Sequence, residues 1–335
     1  MILFGNNLLL YEFMKQITIY FEDFWPEFNR VENFITNILQ DYYEIRIDSK
    51  NPDYLFFSVY GFKHLKYNNC IRIFYSMENI WADFNFCDYA ISSQLIEIED
   101  RHIRYPYYNN FGFERLENKQ SIDKQKLLDR KFCNFVYSNN SNANPIRERF
   151  FHELSKYKKV DSGGRFLNNI GKPVVNKLDF IKDYKFTIAF ENSSLPGYTT
   201  EKIVEPMVVN SMPVYWGNPN IELDFNKNSF IYVNDFSSIE KAIEEVIRLD
   251  KDDNAYLKKI SEPWFLGSDY YENKEKLTLF LTKIINQDKE SSKRLTNYGY
   301  ISAYREKIES LEWSWWTLRK IMKIRRFFKN LFLAN

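Results

Sequence analysis

The chain has 335 residues, 44% hydrophobic and 18% aromatic, with 46 basic and 45 acidic side chains for a formal charge of +1. That length exceeds a typical single core, so two domains are expected. Cys70, Cys87 and Cys133 are too few and scattered for a disulfide scaffold and fit a reducing compartment. His64, His102 and His152 stand apart from any zinc-type cluster, and no apolar run is long enough for a spanning helix.

In chain order, residues 1–14 are apolar but lack a basic lead-in and a small-residue cleavage site, so they do not read as a signal peptide. A cytoplasmic, bacterial protein is the simplest expectation. Strands are predicted at 17–21, 43–47, 54–59, 71–74 and 89–92 from short β-prone runs. Helical spacing at Phe28, Val31, Phe34, Ile35 and Ile38 predicts a helix over 28–39. The polar, charged stretch 114–131 reads as a crossing between domains. A second set opens with a strand at 132–138 and a helix at 145–154. A strand at 186–190, a loop at 191–199, a short helix from about Thr200 and a strand at 214–216 stopped by Gly217 come next. A strand at 230–233 and a helix at 238–249 follow. Strands at this spacing with helical crossovers indicate parallel sheets. The expectation is an α/β chain of two doubly wound halves, residues 1–130 and 131–290, with C-terminal helices at 291–335.

Glu191, Asn192, Tyr198, Glu201 and Lys202 fall where the 186–190 strand ends and the next helix begins. In open α/β sheets that carboxyl edge is where ligands bind. A helix N-terminus offers free N–H groups and partial positive charge to an anion, and Lys202 adds a full charge aimed at phosphate. Glu201 can accept from sugar hydroxyls, and Tyr198 offers a face and a hydroxyl. The other reading is a crossover helix with a charged first turn.

The string F-x-x-x-F-E-N-S at 186–193, Y-x-T-E-K-I at 198–203 and P-V-Y-W-G-N-P at 213–219 resembles the α-1,3-fucosyltransferases, most closely the bacterial ones that make Lewis-type antigens. The resemblance covers roughly residues 74–234. It implies the GT-B architecture, two Rossmann-like domains facing a cleft, and transfer of L-fucose from GDP-fucose with inversion. It places a Glu-Asn pair at Glu78-Asn79, after the 71–74 strand and ahead of Cys87-Asp88-Tyr89-Ala90-Ile91, where Cys87 stands for the family's Phe. That makes Glu78 the candidate general base, for which a partly apolar site near Phe74, Trp81 and Phe84 would suit a raised pKa. The alternative is a Glu that caps a turn.

Arg165, after Gly163-Gly164, can fork onto a diphosphate, and the glycines allow close approach or positive φ. The family's Arg stands where this chain has Leu167, so Arg165 either reaches the phosphate from a shifted position or sits in solvent. Ser138 and Asn139 either line the donor loop, as the resemblance implies, or belong to an Asn-rich turn. Asp250-Lys251-Asp252 is a literal DxD but reads as a solvated helix end. No metal is expected as an obligatory cofactor, because Lys202, Arg165 and helix dipoles can neutralise the leaving diphosphate; a divalent ion keeps at most a stimulating role. If Thr200 caps its helix, Pro206 falls inside it and removes the N–H that would bond to Lys202.

The last 23 residues hold Arg319, Lys320, Lys323, Arg325, Arg326 and Lys329 and no acid, so the body carries −5. With Trp315, Trp316 and Phe327 among its apolar residues, this tail reads as a helix for an anionic membrane surface, or as one packed back on the protein. No nucleic-acid recognition motif is present. The expected partners are GDP-fucose, a glycan acceptor containing N-acetylglucosamine and free or lipid-linked, and the inner membrane face.

Overall fold

A computed structural model describes residues 14–111, 113–116, 119, 123–265, 269–296 and 298–332. Contacts divide the chain into two units. The first holds residues up to Ser92, Glu97–Ile103 and the segment from Leu277 onward; the second holds Ser93–Ile96 and Arg104–Lys276.

The first unit opens with β1 (Gln16–Glu22), α1 (Phe34–Leu39), β2 (Glu44–Ile47), β3 (Tyr54–Phe57), β4 (Ile71–Tyr75), β5 (Tyr89–Ser92) and β6 (His102–Arg104), which ends on the first residue of the second unit. The sheet order is β2-β1-β3-β4-β5-β6, and β2 through β5 pair in parallel. Strands β3, β4 and β5 are buried at every residue, as interior strands covered on both faces must be, while β2 alternates. The helix expected from residue 28 begins at Phe34 instead. Asn33 accepts from Ile35 N and Thr36 N, and Thr36 Oγ1 takes the Asn33 N–H, a capping box that sets the start. Phe28 stacks on Phe24, with ring centroids 4.0 Å apart, rather than lying on a helix face.

The second unit contains α2 (Lys124–Leu128), β7 (Lys131–Phe135), α3 (Ile146–Ser155), β8 (Val160–Ser162), α4 (Lys177–Ile181), β9 (Tyr184–Phe190), α5 (Glu201–Val208), β10 (Met212–Trp216), β11 (Ile231–Tyr232), α6 (Ile239–Lys251) and α7 (Asp253–Ser261). Its sheet, β11-β10-β9-β7-β8, is parallel throughout. Helix α8 (Asp269–Asn286) starts in the second unit and ends in the first, followed by α9 (Lys289–Ser292) and α10 (Tyr300–Phe332). Both units are Rossmann-like, with helices between parallel strands. In both sheets the second strand lies outside the first and the third lies inside it. The order therefore reverses between β1 and β3 and between β7 and β9, which places a ligand-binding crevice at those carboxyl ends.

The expected division at residue 130 is corrected. Arg104 Nη1 and Nη2 fork onto Asp224 at 2.8 Å each, and its Nε donates to Ser93 O, which ties residues from 104 onward to the second unit. The stretch 114–131, expected as a crossing, carries α2 and opens β7 inside that unit. Nor is 291–335 a separate body. The N–H groups of Arg294 and Leu295 donate to the buried Asp88 carboxylate, and Arg305 donates to Asn85 O.

Candidate functional site

Strand β9 ends at Phe190, and Glu191 N–H continues the ladder to Trp216 O. The chain then loops back so that Thr200 caps α5, its hydroxyl accepting from Lys202 N. Thr200 also turns both its donors onto Glu191: N–H to Oε1 at 2.8 Å and hydroxyl to Oε2 at 2.8 Å. Lys202 Nζ lies 3.2 Å from Glu191 Oε2, 3.0 Å from Thr200 Oγ1 and 3.5 Å from Glu201 Oε1. Gly217 is needed here, since a Cβ would lie 2.5 Å from Glu191 Cγ.

The charges of this cluster depend on one another. Burial opposes the Lys202 charge, but Glu191 and Glu201 outweigh it and hold the ammonium protonated well above its usual range. Burial also opposes the charge on Glu201, yet Lys202 and Lys177 keep its carboxyl below the usual value. Glu191 is pushed up, because burial exceeds the pull of Lys202 and the Thr200 hydrogen bonds. Lys177 pairs with Glu205 one turn further along α5. Lys202 thus carries the full charge expected of it, and that charge is set between two carboxylates. Lys202 and Glu201 keep 14% and 25% of their side chains exposed while Glu191 keeps none, so the first two can touch a ligand and Glu191 holds them from behind.

Asn192 is fixed by a residue that sequence reasoning missed. Arg147, in the first turn of α3 and 1% exposed, donates from Nη2 to Phe190 O at 2.9 Å and to Asn192 Oδ1 at 2.8 Å. Its guanidinium lies 4.1 Å from the ring centroid of Tyr137, whose hydroxyl bonds the same strand end at Ile188 O and Phe190 N. A cation in a helix's first turn runs against the helix dipole, and that was the available signal.

Tyr198 is 3% exposed, so its expected open face is corrected to a packed one. The loop that carries it is held by Asp224, which accepts from Thr199 Oγ1 and Tyr108 Oη as well as from Arg104, and by Asn218 Oδ1, which accepts Gly197 N at 2.7 Å. Ser138 and Asn139 are exposed, and Asn139 Oδ1 accepts from Ser141 N and Oγ. That loop reaches the cluster through Asn144 N, which donates to Asn192 O at 2.8 Å. Arg165 is exposed beside it. A Cβ on Gly164 would fall 1.8 Å from Tyr137 O, so close backbone approach, not positive φ, is why glycine stands there. Leu167 takes the positive φ, at 53°.

The DxD string serves structure. Asp252 caps α7 by accepting Ala255 N, and Asp250 takes Tyr157 Oη and Lys158 Nζ with only 4% of its side chain exposed, so it is not solvated as expected. Pro206 lies inside α5, which closes two residues later; Asn210, at φ 51°, turns the chain away, and little helix remains to bend.

In the first unit, Glu78 is half-buried in the loop after β4, with Ser76 Oγ accepting its N–H. Phe74 packs with Phe57, Cys87 and Ala90, whereas Trp81 is 54% exposed. Glu78 Oε1 accepts the Tyr60 hydroxyl at 3.0 Å. Tyr60 lies in the loop after β3, beside the first unit's reversal point. Next to it, Asp23 Oδ2 meets His64 Nδ1 at 2.8 Å. Among the described residues no group of three His, Cys, Asp or Glu side chains is placed to hold a metal ion.

Comparison with known proteins covers both units. Residues 19–111 match the model described as "Alpha-(1,3)-fucosyltransferase FucT N-terminal domain", and residues 126–264 match "Glycosyltransferase family 10 (fucosyltransferase) C-term". The likeness thus begins far ahead of residue 74. An alpha-(1,3)-fucosyltransferase from Helicobacter pylori is 33% identical over 269 residues, 68% of this chain and 55% of that one. GDP-fucose protein O-fucosyltransferase 3 from Xenopus laevis is 31% identical over 222 residues, 61% of this chain and 45% of its own. The chain spans about half the length of these relatives. The crystal structure of an alpha1,3-fucosyltransferase with GDP-fucose superposes with a TM-score of 0.71 at 29% identity, over 82% of this chain and 92% of that one.

Proposed function

This chain belongs to the fucosyltransferases of glycosyltransferase family 10, and we propose that it moves L-fucose from GDP-fucose to a hydroxyl of an N-acetylglucosamine-containing glycan, in α-1,3 linkage and with inversion. The observation that carries the reading is the Lys202–Glu201 pair in the first turn of α5, at the end of β9 and inside the matched segment. As the acceptor oxygen attacks the anomeric carbon, the bond to the β-phosphate breaks and negative charge grows on departing GDP. A preset ammonium at a helix N-terminus stabilises that charge without reorganising. Arg165 reaches the same diphosphate from its exposed loop. Glu201 and Asn192 take ribose or fucose hydroxyls, Ser138 and Asn139 line the neighbouring loop, and Glu191 and Tyr198 support from within. Glu78 removes the acceptor proton.

In this scheme Lys202, Arg165 and the helix dipole neutralise the leaving diphosphate and a divalent ion keeps at most a stimulating role; Asp250 and Asp252 are committed elsewhere. The test is transfer from GDP-fucose and from GDP-mannose, with and without chelator, over a panel of glycan acceptors with linkage analysis. Use of GDP-mannose alone overturns the donor assignment, and loss in chelator restored by Mn²⁺ overturns the metal-independent scheme. The likeness to a protein O-fucosyltransferase supports a second reading, a protein hydroxyl as acceptor, so the panel includes folded and unfolded polypeptides.

The tail supports a site of action at the inner membrane face, where lipid-linked acceptors for surface polysaccharide are built. Helix α10 runs to Phe332, and Leu318, Ile321 and Met322 are exposed beside exposed Lys320 and Arg325. The side chains of Trp315, Trp316, Arg319, Lys323, Arg326, Phe327 and Lys329 lie outside the described residues. No helix among those described is long and apolar enough to cross a membrane. Each cation near an anionic surface contributes about 1 kcal/mol, screened by salt. Truncation after Glu312 is expected to abolish sedimentation with anionic liposomes while leaving transfer to a soluble acceptor; a full-length protein that ignores such liposomes at low salt overturns the docking.

A further inference from the structure

The loop that carries Tyr60 is fixed more firmly than an exposed turn requires. Asp23, at φ 58°, turns its buried carboxylate toward that loop and accepts His64 N at 2.9 Å, His64 Nδ1 at 2.8 Å and Lys63 N at 3.2 Å. The Tyr60 N–H donates to Asp23 O at 2.9 Å. Gly61 passes so close that a Cβ would lie 2.2 Å from Asp23 Oδ1. The His64 ring stacks on Phe57 of β3, centroids 4.0 Å apart, and Trp25 meets the Tyr60 ring edge-on at 6.5 Å. The clamp holds the backbone that carries Tyr60, Trp25 meets its ring, and its hydroxyl donates to Glu78 Oε1.

We propose that Tyr60 is a positioning residue for the general base: its hydroxyl pins one oxygen of Glu78, leaving the other to take the acceptor proton. This rests on Glu78 being the base. A hydrogen bond donated to the charged form favours that form and lowers the pKa. Burial, then the adjacent Glu78 charge, pushes the Tyr60 phenol far above its usual range, so it remains a donor at every working pH. Among the described residues Tyr60 is the titratable side chain in hydrogen-bond contact with Glu78. The titratable groups around the same loop pair among themselves, Asp23 with the imidazole of His64 and Glu22 with Lys63.

The experiment compares Tyr60→Phe, Glu78→Gln and the control Tyr67→Phe, which loses only a hydroxyl bonded to Ser49 O. Glu78→Gln should lose transfer. Tyr60→Phe should keep the KM for GDP-fucose, lower kcat about tenfold, and move the acidic limb of the kcat/KM profile to higher pH by about one unit, the size expected for one hydrogen bond to a charged group. Site-specific 3-fluorotyrosine at position 60, a stronger donor, should move the limb the other way. Tyr67→Phe should leave it in place. Loss of transfer in Glu78→Gln with a limb that neither Tyr60 replacement moves overturns the role of Tyr60 alone. Full transfer in Glu78→Gln overturns the base and this proposal together.

Discussion

The two sheets share one strand order and reverse at the same relative place, yet the loops at the two reversal points are built on opposite plans. Beyond β9, three carboxylates and two ammonium groups are packed so that each sets the charge of the next, with Arg147 behind them. Beyond β3 and β4, one carboxylate meets one neutral hydroxyl, and the neighbouring ionic groups only shape the loop. The difference follows from the tasks proposed. A diphosphate brings concentrated charge, and a cluster assembled beforehand need not rearrange to meet it. A single proton needs one basic oxygen aimed correctly. The same topology thus accommodates a packed cluster of charges in one unit and a single carboxylate with a neutral partner in the other.

Three measurements break or sharpen that contrast. The largest effect is expected in stability. Glu191→Gln leaves a buried ammonium short of its nearest carboxylate and should cost about 3 kcal/mol in chemical denaturation, whereas the half-buried Glu78→Gln should stay within about 0.5 kcal/mol. Equal losses would erase the distinction. Next is the transfer barrier. Lys202→Ala should raise it by about 2–4 kcal/mol, read from kcat/KM for GDP-fucose, and Glu78→Gln should lower transfer about a hundredfold while calorimetry still finds donor binding. Wild-type turnover in Lys202→Ala removes that residue from the transfer step. Smallest is a pH effect confined to the first unit. Burial, against the pull of Asp23, holds His64 below the ordinary imidazole value of 6.5. Below that value the unfolded chain binds the proton more readily than the folded one. The resulting stability is complete above 6.5 and is lost as pH falls toward the folded pKa. Denaturation midpoints should decline on acidification, with a shallower slope in His64→Gln; identical slopes refute the assignment.

Much of the fold was readable because buried parallel strands are continuous β-prone runs, as in 71–74 and 186–190. Strands β6 and β8, three residues each, are too short for any period to show. The helix at 28–39 failed because Phe28 obeys helical spacing but belongs to an aromatic cluster ahead of Asn33, whose cap decides the start. The boundary failed because a polar stretch marks a surface, whereas one fork from Arg104 to Asp224 assigns the chain. At the site, Glu201 and Lys202 were legible as a charged first turn. The burial of Glu191 was not, since it depends on Thr200 folding back across nine residues. Tyr60 and Glu78 are eighteen residues apart, and the parallel pairing of β3 with β4, together with the clamp at Asp23, makes them neighbours.

The first unit is assembled from both ends of the chain. Ile285 O accepts from Lys15 Nζ and Tyr54 Oη, Tyr43 bonds Asn286, and Asp88 takes the backbone of Arg294 and Leu295. In synthesis the strands of this unit precede the second unit, but the hydrogen bonds to Ile285, Asn286, Arg294 and Leu295 wait until the segment after Lys276 has been made. The second unit, nearly continuous from Arg104 to Lys276, is complete by then. Order of synthesis and order of completion are therefore reversed between the two units: strands made before the second unit gain their last partners after it.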